Sequence, residues 1–324
     1  MRVLLTGASG FIGSHSAHAL SAAGHELRVL ARPTSDLSGL DGLQYQRAVG
    51  DLRGQGLDDA CRDREAVVHL AGVTSAPNDA EYLEINARGT GRLARAAAGA
   101  GVRRFLYISS IAAQGPSRNG QAPDPTAPCR PISAYGESKA AGEVEALVFR
   151  ERMTVQVLRP PVVYGPRDTG LLPFFKMARW RYVVRLGNGE NRLAMIYGQD
   201  LANAIVALLA SDAGPSPLFH ITDAEGPYTW NDLIAGLRAA FGHRVFSLPV
   251  PAVGFETAAR LSVALARLRK RTPLLDSGRV AEMRQSVWLT DNAALSEVTN
   301  WAPRTSLTDG LRTSVAWYRE HGWI

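Results

Sequence analysis

Thr6-Gly7-Ala8-Ser9-Gly10-Phe11-Ile12-Gly13, placed directly behind the apolar run Arg2-Val3-Leu4-Leu5, decides how the rest of the chain is read. The order is strand, glycine-rich turn, helix. Gly7 permits the tight turn, Gly10 lets the backbone approach a pyrophosphate, and Gly13 allows the helix to pack closely on the strand. The helix that opens at Gly10, Phe11 and Ile12 then offers free N–H groups and the positive end of its dipole to phosphate. Three glycines alone would be weak evidence of a dinucleotide site, but the required strand-turn-helix context is present.

Outward from this loop, short β-rich runs alternate with helical patterns, the signature of βαβ units. The spacing predicts strands at Arg2–Leu5, Leu27–Leu30, Leu43–Ala48, Ala66–Leu70, Arg104–Ser109 and Thr154–Arg159. Helices are predicted at Gly13–Ala23, Leu57–Cys61, Glu81–Ala100 and Ala134–Arg150. Several strands are apolar throughout, as expected where helices cover both faces of a parallel sheet. Pro116–Pro131, with five prolines, reads as a surface loop. Beyond Gly165 the alternation breaks down: Pro166–Leu193 reads as irregular, Asp200–Ala210 and Trp230–Phe241 as helices, and Leu218–Thr222 as a late strand returning to the sheet. The tail is expected to hold helical stretches around Trp288-Leu289-Thr290-Asp291 and over Leu307–His321. The expected fold is α/β: a Rossmann-type doubly wound parallel sheet over residues 1–170 and a smaller, irregular C-terminal substrate lobe over 171–324.

With 324 residues, 46% hydrophobic and 20% charged, the composition excludes a disordered, collagenous or coiled-coil chain. The net charge of +6 comes from arginines scattered along the sequence, since Lys139, Lys176 and Lys270 are the only lysines, so no nucleic-acid partner is expected. Cys61 and Cys129 provide neither metal-ligand spacing nor a disulfide framework, which favours a reducing compartment and no metal. No stretch approaches the ~18 uncharged apolar residues of a spanning helix. Pro251–Leu268 is read as an amphipathic helix covering a core or cleft rather than lying on a membrane, despite the basic Arg267-Leu268-Arg269-Lys270-Arg271 that ends it. A cytoplasmic protein without a membrane partner is therefore expected.

Three further positions carry chemistry. The second strand ends at Leu30-Ala31-Arg32, where a carboxylate would meet the ribose 2′-OH of NAD; Ala31 removes it and the Arg32 guanidinium suits a 2′-phosphate. Asp51-Leu52 after the third strand fits an adenine-contacting turn. Tyr135 and Lys139, four apart on a helix, share a face, so an ammonium near the phenol can lower the pKa of Tyr135 and let it donate or remove a proton at a carbonyl or carbinol. Ser109-Ser110, ending the preceding strand, can hydrogen-bond the same oxygen.

In these motifs the chain resembles the extended short-chain dehydrogenase/reductases, which include nucleotide-sugar epimerases and dehydratases, dihydroflavonol reductases and 3β-hydroxysteroid dehydrogenases. Gly50-Asp51-Leu52, Val67 to Gly72, Asn86 with Gly89-Thr90, and Arg159 to Pro166 add to the likeness, which covers essentially the whole chain. The resemblance implies Tyr135 as acid/base, Lys139 as its pKa-lowering partner and ribose ligand, and Ser110 as carbonyl hydrogen-bond donor, preferred over Ser109 by its distance of twenty-five residues from Tyr135. It implies Leu70, Ala71 and Gly72 on the adenine–ribose side, Pro160 and Val163 at the nicotinamide, and Asn86 as a brace; His69 reads as a packed core histidine. A homodimer through the helices around Glu81–Ala100 and Ala134–Arg150 is also implied, with Ala140, Ala141 and Gly142 permitting close approach.

Departures narrow the activity. Ile111-Ala112 stand where a 4,6-dehydratase has its Asp-Glu pair, and Gln114-Gly115 and Arg192-Leu193-Ala194 replace segments with which many epimerases grip a nucleotide. Phe174, Phe175 and Trp180 lean towards a less charged substrate. The leading expectation is an NADP-dependent carbonyl reductase or the reverse alcohol dehydrogenase, NAD being possible. A sugar-nucleotide epimerase with tightly held cofactor is the alternative, and a dinucleotide-binding sensor without turnover the third reading.

Overall fold

The computed structural model describes residues 1–186, 189–211, 217–268, 277–285 and 287–324. Its centre is a seven-stranded parallel sheet of β1 (Arg2–Thr6), β2 (Glu26–Ala31), β3 (Tyr45–Val49), β4 (Ala66–His69), β5 (Arg104–Ile108), β6 (Thr154–Arg159) and, after β7–β10, β11 (Leu218–His220). The order across the sheet is β3-β2-β1-β4-β5-β6-β11, so the chain winds outward from β1 in both directions.

Alternation along each strand divides the apolar runs between two cores. On one face, Val3, Leu5, Val29, Val68, Leu106 and Leu158 pack beneath α1 (Phe11–Ala22) and α8 (Gly198–Ala210), which contribute Ala17, Leu20, Leu201, Ile205 and Leu208. On the other, Leu4, Leu30, Val67, Phe105 and Val157 meet α2 (Leu57–Cys61), α4 (Gly89–Gly99) and α6 (Ala134–Leu147). Each such side chain, fully buried, is worth about 1.5–3 kcal/mol. A third core gathers residues after β6: Tyr164 of β7 (Val162–Tyr164), Phe175 of α7 (Leu172–Arg179), Val183 of β8 (Tyr182–Leu186), Met195, Ile234, Leu237, Leu311 and Tyr318.

Three expectations need correction. The segment 81–100 is not one helix: α3 (Asp79–Tyr82) passes into a π-helical stretch, Leu83–Arg88, before α4 begins. Asn86 lies in that stretch and ties it to two other elements, which gives the bulge its purpose. Residues 166–193 are not irregular throughout, since they hold α7, β8 and β9 (Arg192–Leu193). Trp288 is extended rather than helical, because β13 (Val287–Trp288) pairs with β9 and the Trp288 carbonyl accepts from the Ala194 N–H. The remaining elements are β10 (Met195–Tyr197), α9 (Trp230–Phe241), β12 (Phe246–Val250), α10 (Ala252–Leu268), α11 (Ser277–Met283), α12 (Ala293–Val298), α13 (Leu307–Glu320) and the single turn α5 (Ile111–Gln114). Within the basic cluster ending the 251–268 helix, 269–271 lie outside the described residues.

Two buried histidines tie stability to pH. His69 is held between the Thr6 and Thr90 hydroxyls at 2.7 and 2.9 Å, whereas neither ring nitrogen of His220 has a partner among the described residues. Burial lowers both from 6.5 to about 3. Below pH 6.5 the unfolded imidazoles take up protons that the folded ones refuse, so stability is full above 6.5 and falls as pH drops towards 3. Each should cost up to about 1.4 kcal/mol per pH unit in that window. Thermal unfolding at pH 7 and pH 5 should show this loss, and His220→Phe should remove roughly half of it; an equal loss in the variant would clear His220.

Candidate active site

At the C-terminal end of β1 the glycine loop is fixed by close contact. Gly7 has φ +75°, and a Cβ there would lie 2.6 Å from the Ala71 backbone nitrogen; one at Gly13 would lie 2.0 Å from the Gly7 carbonyl oxygen. Gly10 is different, because its Cβ would meet only the Gly7 oxygen, at 3.3 Å. The N-terminus of α1 has no side-chain cap and no acidic residue in its first turn, so its N–H groups and positive dipole end stay available. The loop borders a cavity of about 1950 Å³. That combination fits a dinucleotide pyrophosphate.

The same cavity brings together Gly7, Gly10, Phe11, Ile12, Gly13, Leu70, Gly72, Ser110, Tyr135, Lys139, Pro160 and Val163. Ala71, Arg32, Asp51 and Leu52 do not line it. Arg32 is exposed one residue past β2, two residues beyond the Leu30 that pairs with Thr6, which places it alongside the glycine loop. The Arg47 guanidinium reaches over to the Arg32 and Pro33 carbonyl oxygens, at 2.8 and 3.1 Å. Asp51 accepts from the Arg53 N–H at 2.8 Å and stiffens its own turn, and Leu52 belongs to the core.

Ser110 caps α5, accepting the Ala112 N–H at 3.1 Å, and so leaves its own proton to donate. Ser109 instead donates to Glu143 at 2.5 Å. Tyr135 lies in the first turn of α6, which Ser133 caps through the Gly136 N–H at 3.0 Å. Burial pushes the Tyr135 phenol up to about 12; a hydrogen bond with Ser110 opposes this, the Glu282 carboxylate adds to it and Arg279 opposes it. Lys139, one turn on, is buried and donates to the Ile108 carbonyl oxygen at 2.8 Å, its ammonium 4.3 Å from the centre of the Tyr107 ring. Burial brings it down to about 7, with Glu143 pulling the other way. The expected lowering of the phenol by Lys139 is not found: burial raises Tyr135 instead, and the ammonium, on the same helix face, is bonded to the Ile108 carbonyl at the end of β5.

Asn86 donates to the Val73 carbonyl and to Ser138, both at 2.9 Å, and accepts the Val73 N–H at 2.8 Å, joining the π-helical stretch to α6 and to the loop after β4. Behind α6, Arg159 makes a two-pronged ion pair with Glu143, at 2.8 and 2.6 Å, and also holds Gln114, the Pro125 carbonyl and Cys129.

Sequence reasoning did not find the far wall of the cavity. Trp230, Leu233, Ile234 and Leu237 of α9, Val263 of α10, and Arg279 and Glu282 of α11 all contribute. So does Asp168, whose carboxyl burial raises to about 6 against hydrogen bonds from the Gly170 and Leu171 N–H groups. A helical pattern does not announce what it faces; for α9 the only local signal is the Thr229–Asp232 capping box, which marks its start. Trp180, expected near the cleft, points outward instead.

The chain belongs to the NAD dependent epimerase/dehydratase family, whose pattern it matches over residues 3–221. It is an NAD(P)-dependent enzyme of the extended short-chain dehydrogenase/reductase type. It is 30% identical to the ceramide reductase of Caulobacter vibrioides, over 99% of this chain and 96% of that protein. It is 27% identical to the 4-hydroxy-2-methyl-3-oxo-4-farnesyl-3,4-dihydroquinoline-1-oxide ketoreductase of Stigmatella aurantiaca, over 96% and 95% of the two chains. Among solved structures, the UDP-glucose 4-epimerase of Thermus thermophilus in complex with NAD superposes with a TM-score of 0.80 at 25% identity, over 98% and 99% of the chains.

The glycine geometry separates folding from binding. Gly13→Ala should destabilise the protein by about 1–3 kcal/mol through overpacking, whereas Gly10→Ala should melt within a degree or two of wild type, roughly the effect of a few tenths of a kcal/mol. Equal losses in thermal unfolding would show that Gly10, too, is held by internal packing.

Proposed function

We propose that the protein is an NADP-dependent reductase acting on a ketone or aldehyde group of an apolar, chain-bearing molecule. The observation that carries this reading is the cavity wall beyond Tyr135, where Phe174, Trp230, Leu233, Ile234, Leu237 and Val263 converge. Such a stretch of wall rewards hydrocarbon, and the charged side chains beside it, Asp168, Arg279 and Glu282, are fewer than its apolar ones. Arg192, in the segment with which many epimerases grip a nucleotide, is exposed and does not line the cavity. The names of two relatives, a reductase of ceramide and a ketoreductase of a farnesyl-bearing ring, support the same substrate class.

The Gly7–Gly13 loop, Leu70, Gly72, Pro160 and Val163 would hold the dinucleotide, with Lys139 at the nicotinamide ribose. Arg32 and Arg47, with Ala31 in place of a carboxylate, would receive a 2′-phosphate. When bound, NADPH supplies a hydride from nicotinamide C4 to the carbonyl carbon. The chain supplies the rest. Tyr135, a phenol that is protonated at neutral pH and whose proton burial holds more firmly still, donates that proton to the carbonyl oxygen, and Ser110 donates a hydrogen bond to that oxygen as charge builds on it. The Ser110 hydroxyl and the Arg279 charge then stabilise the phenolate.

One kinetic series tests the reading. Wild type should oxidise NADPH against long-chain ketones, with kcat/KM at least about tenfold higher for NADPH than for NADH, a preference that Arg32→Ala should largely abolish. Tyr135→Phe should lose about 10²-fold or more in kcat while binding NADPH nearly normally. Turnover of a UDP-sugar without net change in nicotinamide absorbance would instead establish the epimerase reading, which the fold likeness to UDP-glucose 4-epimerase favours.

We also infer a homodimer built on α6 and its neighbours. Gly142 faces inward, against the Asn86 carbonyl and the Tyr107 hydroxyl, but Val144 and Val148 are exposed on the outer face, with Leu83 exposed on the π-helical stretch. Apolar residues four apart on an outer helix face suit a two-fold helix bundle. Sedimentation should show a dimer at micromolar concentration and a monomer for Val144→Glu/Val148→Glu; a monomeric wild type would overturn this.

A further inference from the structure

A second apolar surface faces away from the cavity. β8 and β12 form a separate two-stranded parallel ribbon with Tyr182 beside Phe246 and Val184 beside Leu248. Because side chains alternate along a strand, Val183 turns into the third core while Tyr182, Phe246 and Leu248 stand on the opposite, outer face. Phe246 is 57% exposed and Leu248 49%; Trp180, just ahead of the ribbon, is 71% exposed. α10 leaves the end of the ribbon through Pro251, and Val253, Thr257, Arg260 and Leu261 share one exposed arc of about 100°. Its inner side carries Ala259, which is buried, and Val263, which lines the cavity. Single exposed apolar residues need no explanation, but Trp180, Tyr182, Phe246 and Leu248 gathered at one ribbon, with Val253 and Leu261 on the helix that leaves it, do.

The charges around them share a sign. Residues 172–186 contain four basic side chains and no acidic one, and 238–263 contain Arg238, Arg244 and Arg260 against the single carboxylate of Glu256. Glu256 is ion-paired with Arg284 at 2.7 Å. Lys176, Arg179, Arg181, Arg244 and Arg260 are exposed and make no ion pair with a carboxylate among the described residues. Two copies of this face would bring like charges together, which disfavours self-association through it.

We propose that this face docks on the surface of an anionic lipid bilayer. Trp180, Tyr182, Phe246, Leu248, Val253 and Leu261 enter the boundary between headgroups and acyl chains, while the basic residues meet lipid phosphates. No helix among the described residues is long and apolar enough to cross a membrane, so the contact is peripheral. This departs from the expectation of no membrane partner, yet keeps the reading of the 251–268 helix as a cover, since its two sides serve the two purposes. The proposal does not depend on the direction of catalysis or on the cofactor.

The test is co-sedimentation of the full chain with vesicles of phosphatidylcholine alone and of phosphatidylcholine mixed with phosphatidylglycerol. Binding is expected to the anionic vesicles, to weaken with added salt, and to drop about tenfold or more in Arg179→Glu/Arg244→Glu, since each basic residue near such a surface contributes appreciably. Trp180→Ser/Phe246→Ser should lose a comparable amount. Both double variants should melt like wild type, since none of the four residues is buried. Failure of the wild type to bind anionic vesicles, equal binding to neutral ones, or undiminished binding by both variants would overturn the proposal. So would loss of self-association, instead of lipid binding, in the variants, which would seat a second copy on this face.

Discussion

The ion pair between Glu143 and Arg159 is the joint on which the candidate active site hangs. Both side chains are buried, and the guanidinium meets the carboxylate on two edges. A buried pair of this kind contributes little net stability compared with hydrocarbon, but losing either partner strands a charge at a cost of about 3–5 kcal/mol. Its value lies in position. Glu143 follows Tyr135 and Lys139 at helical intervals of four on α6, and Arg159 ends β6 immediately before Pro160. The pair therefore fixes the helix bearing the phenol and ammonium against the strand end that borders the cavity. Through Ser109, Gln114, Cys129 and the Pro125 carbonyl it also gathers the end of β5, the turn after it and the proline-rich loop.

Around that joint, burial works in opposite senses on the two titratable groups of the site. It raises the phenol of Tyr135 and lowers the ammonium of Lys139, so the acid is weakened and its neighbour made readier to give up a proton. Lys139 keeps one carbonyl bond and a place over the Tyr107 ring, and Tyr107 in turn stacks on His69, 5.3 Å away. The histidine that reads as core in the sequence thus sits beneath the floor under the lysine, held by the Thr6 and Thr90 hydroxyls.

The sheet and the near half of the cavity were legible because they depend on local rules. A glycine whose Cβ would strike backbone, a serine that caps a turn, and apolar runs shared between two cores are each visible in a few consecutive residues. The π-helical stretch was not visible, because the bonds that Asn86 makes from it to Val73 and Ser138 leave no local mark, and the 81–100 pattern satisfies an ordinary helix equally well. Trp288 was misread for a related reason: its extended form is set by pairing with Leu193, about a hundred positions earlier in the chain. Phe174 and Phe175 of α7 line the cavity, but the rest of the far wall escaped notice because its members come from α9 and α11, whose apolar faces look alike whether they close a core or line a space. Arg32 was legible as a position beside the loop; what the sequence could not show was Arg47 leaning across from the neighbouring strand.

The late return of β11 has a consequence for how the protein is made. β6 pairs with β5 on one side and with β11 on the other, and Val157 and Leu218 are in register across a gap of about sixty residues. Until Leu218 has emerged from the ribosome and found its place, β6 is an open edge that presents unpaired peptide groups and the apolar side chains of Val155 and Val157. The nascent chain must pass through this interval with its sheet unfinished, so a stall or cleavage between 160 and 217 leaves a fragment primed for strand-to-strand aggregation.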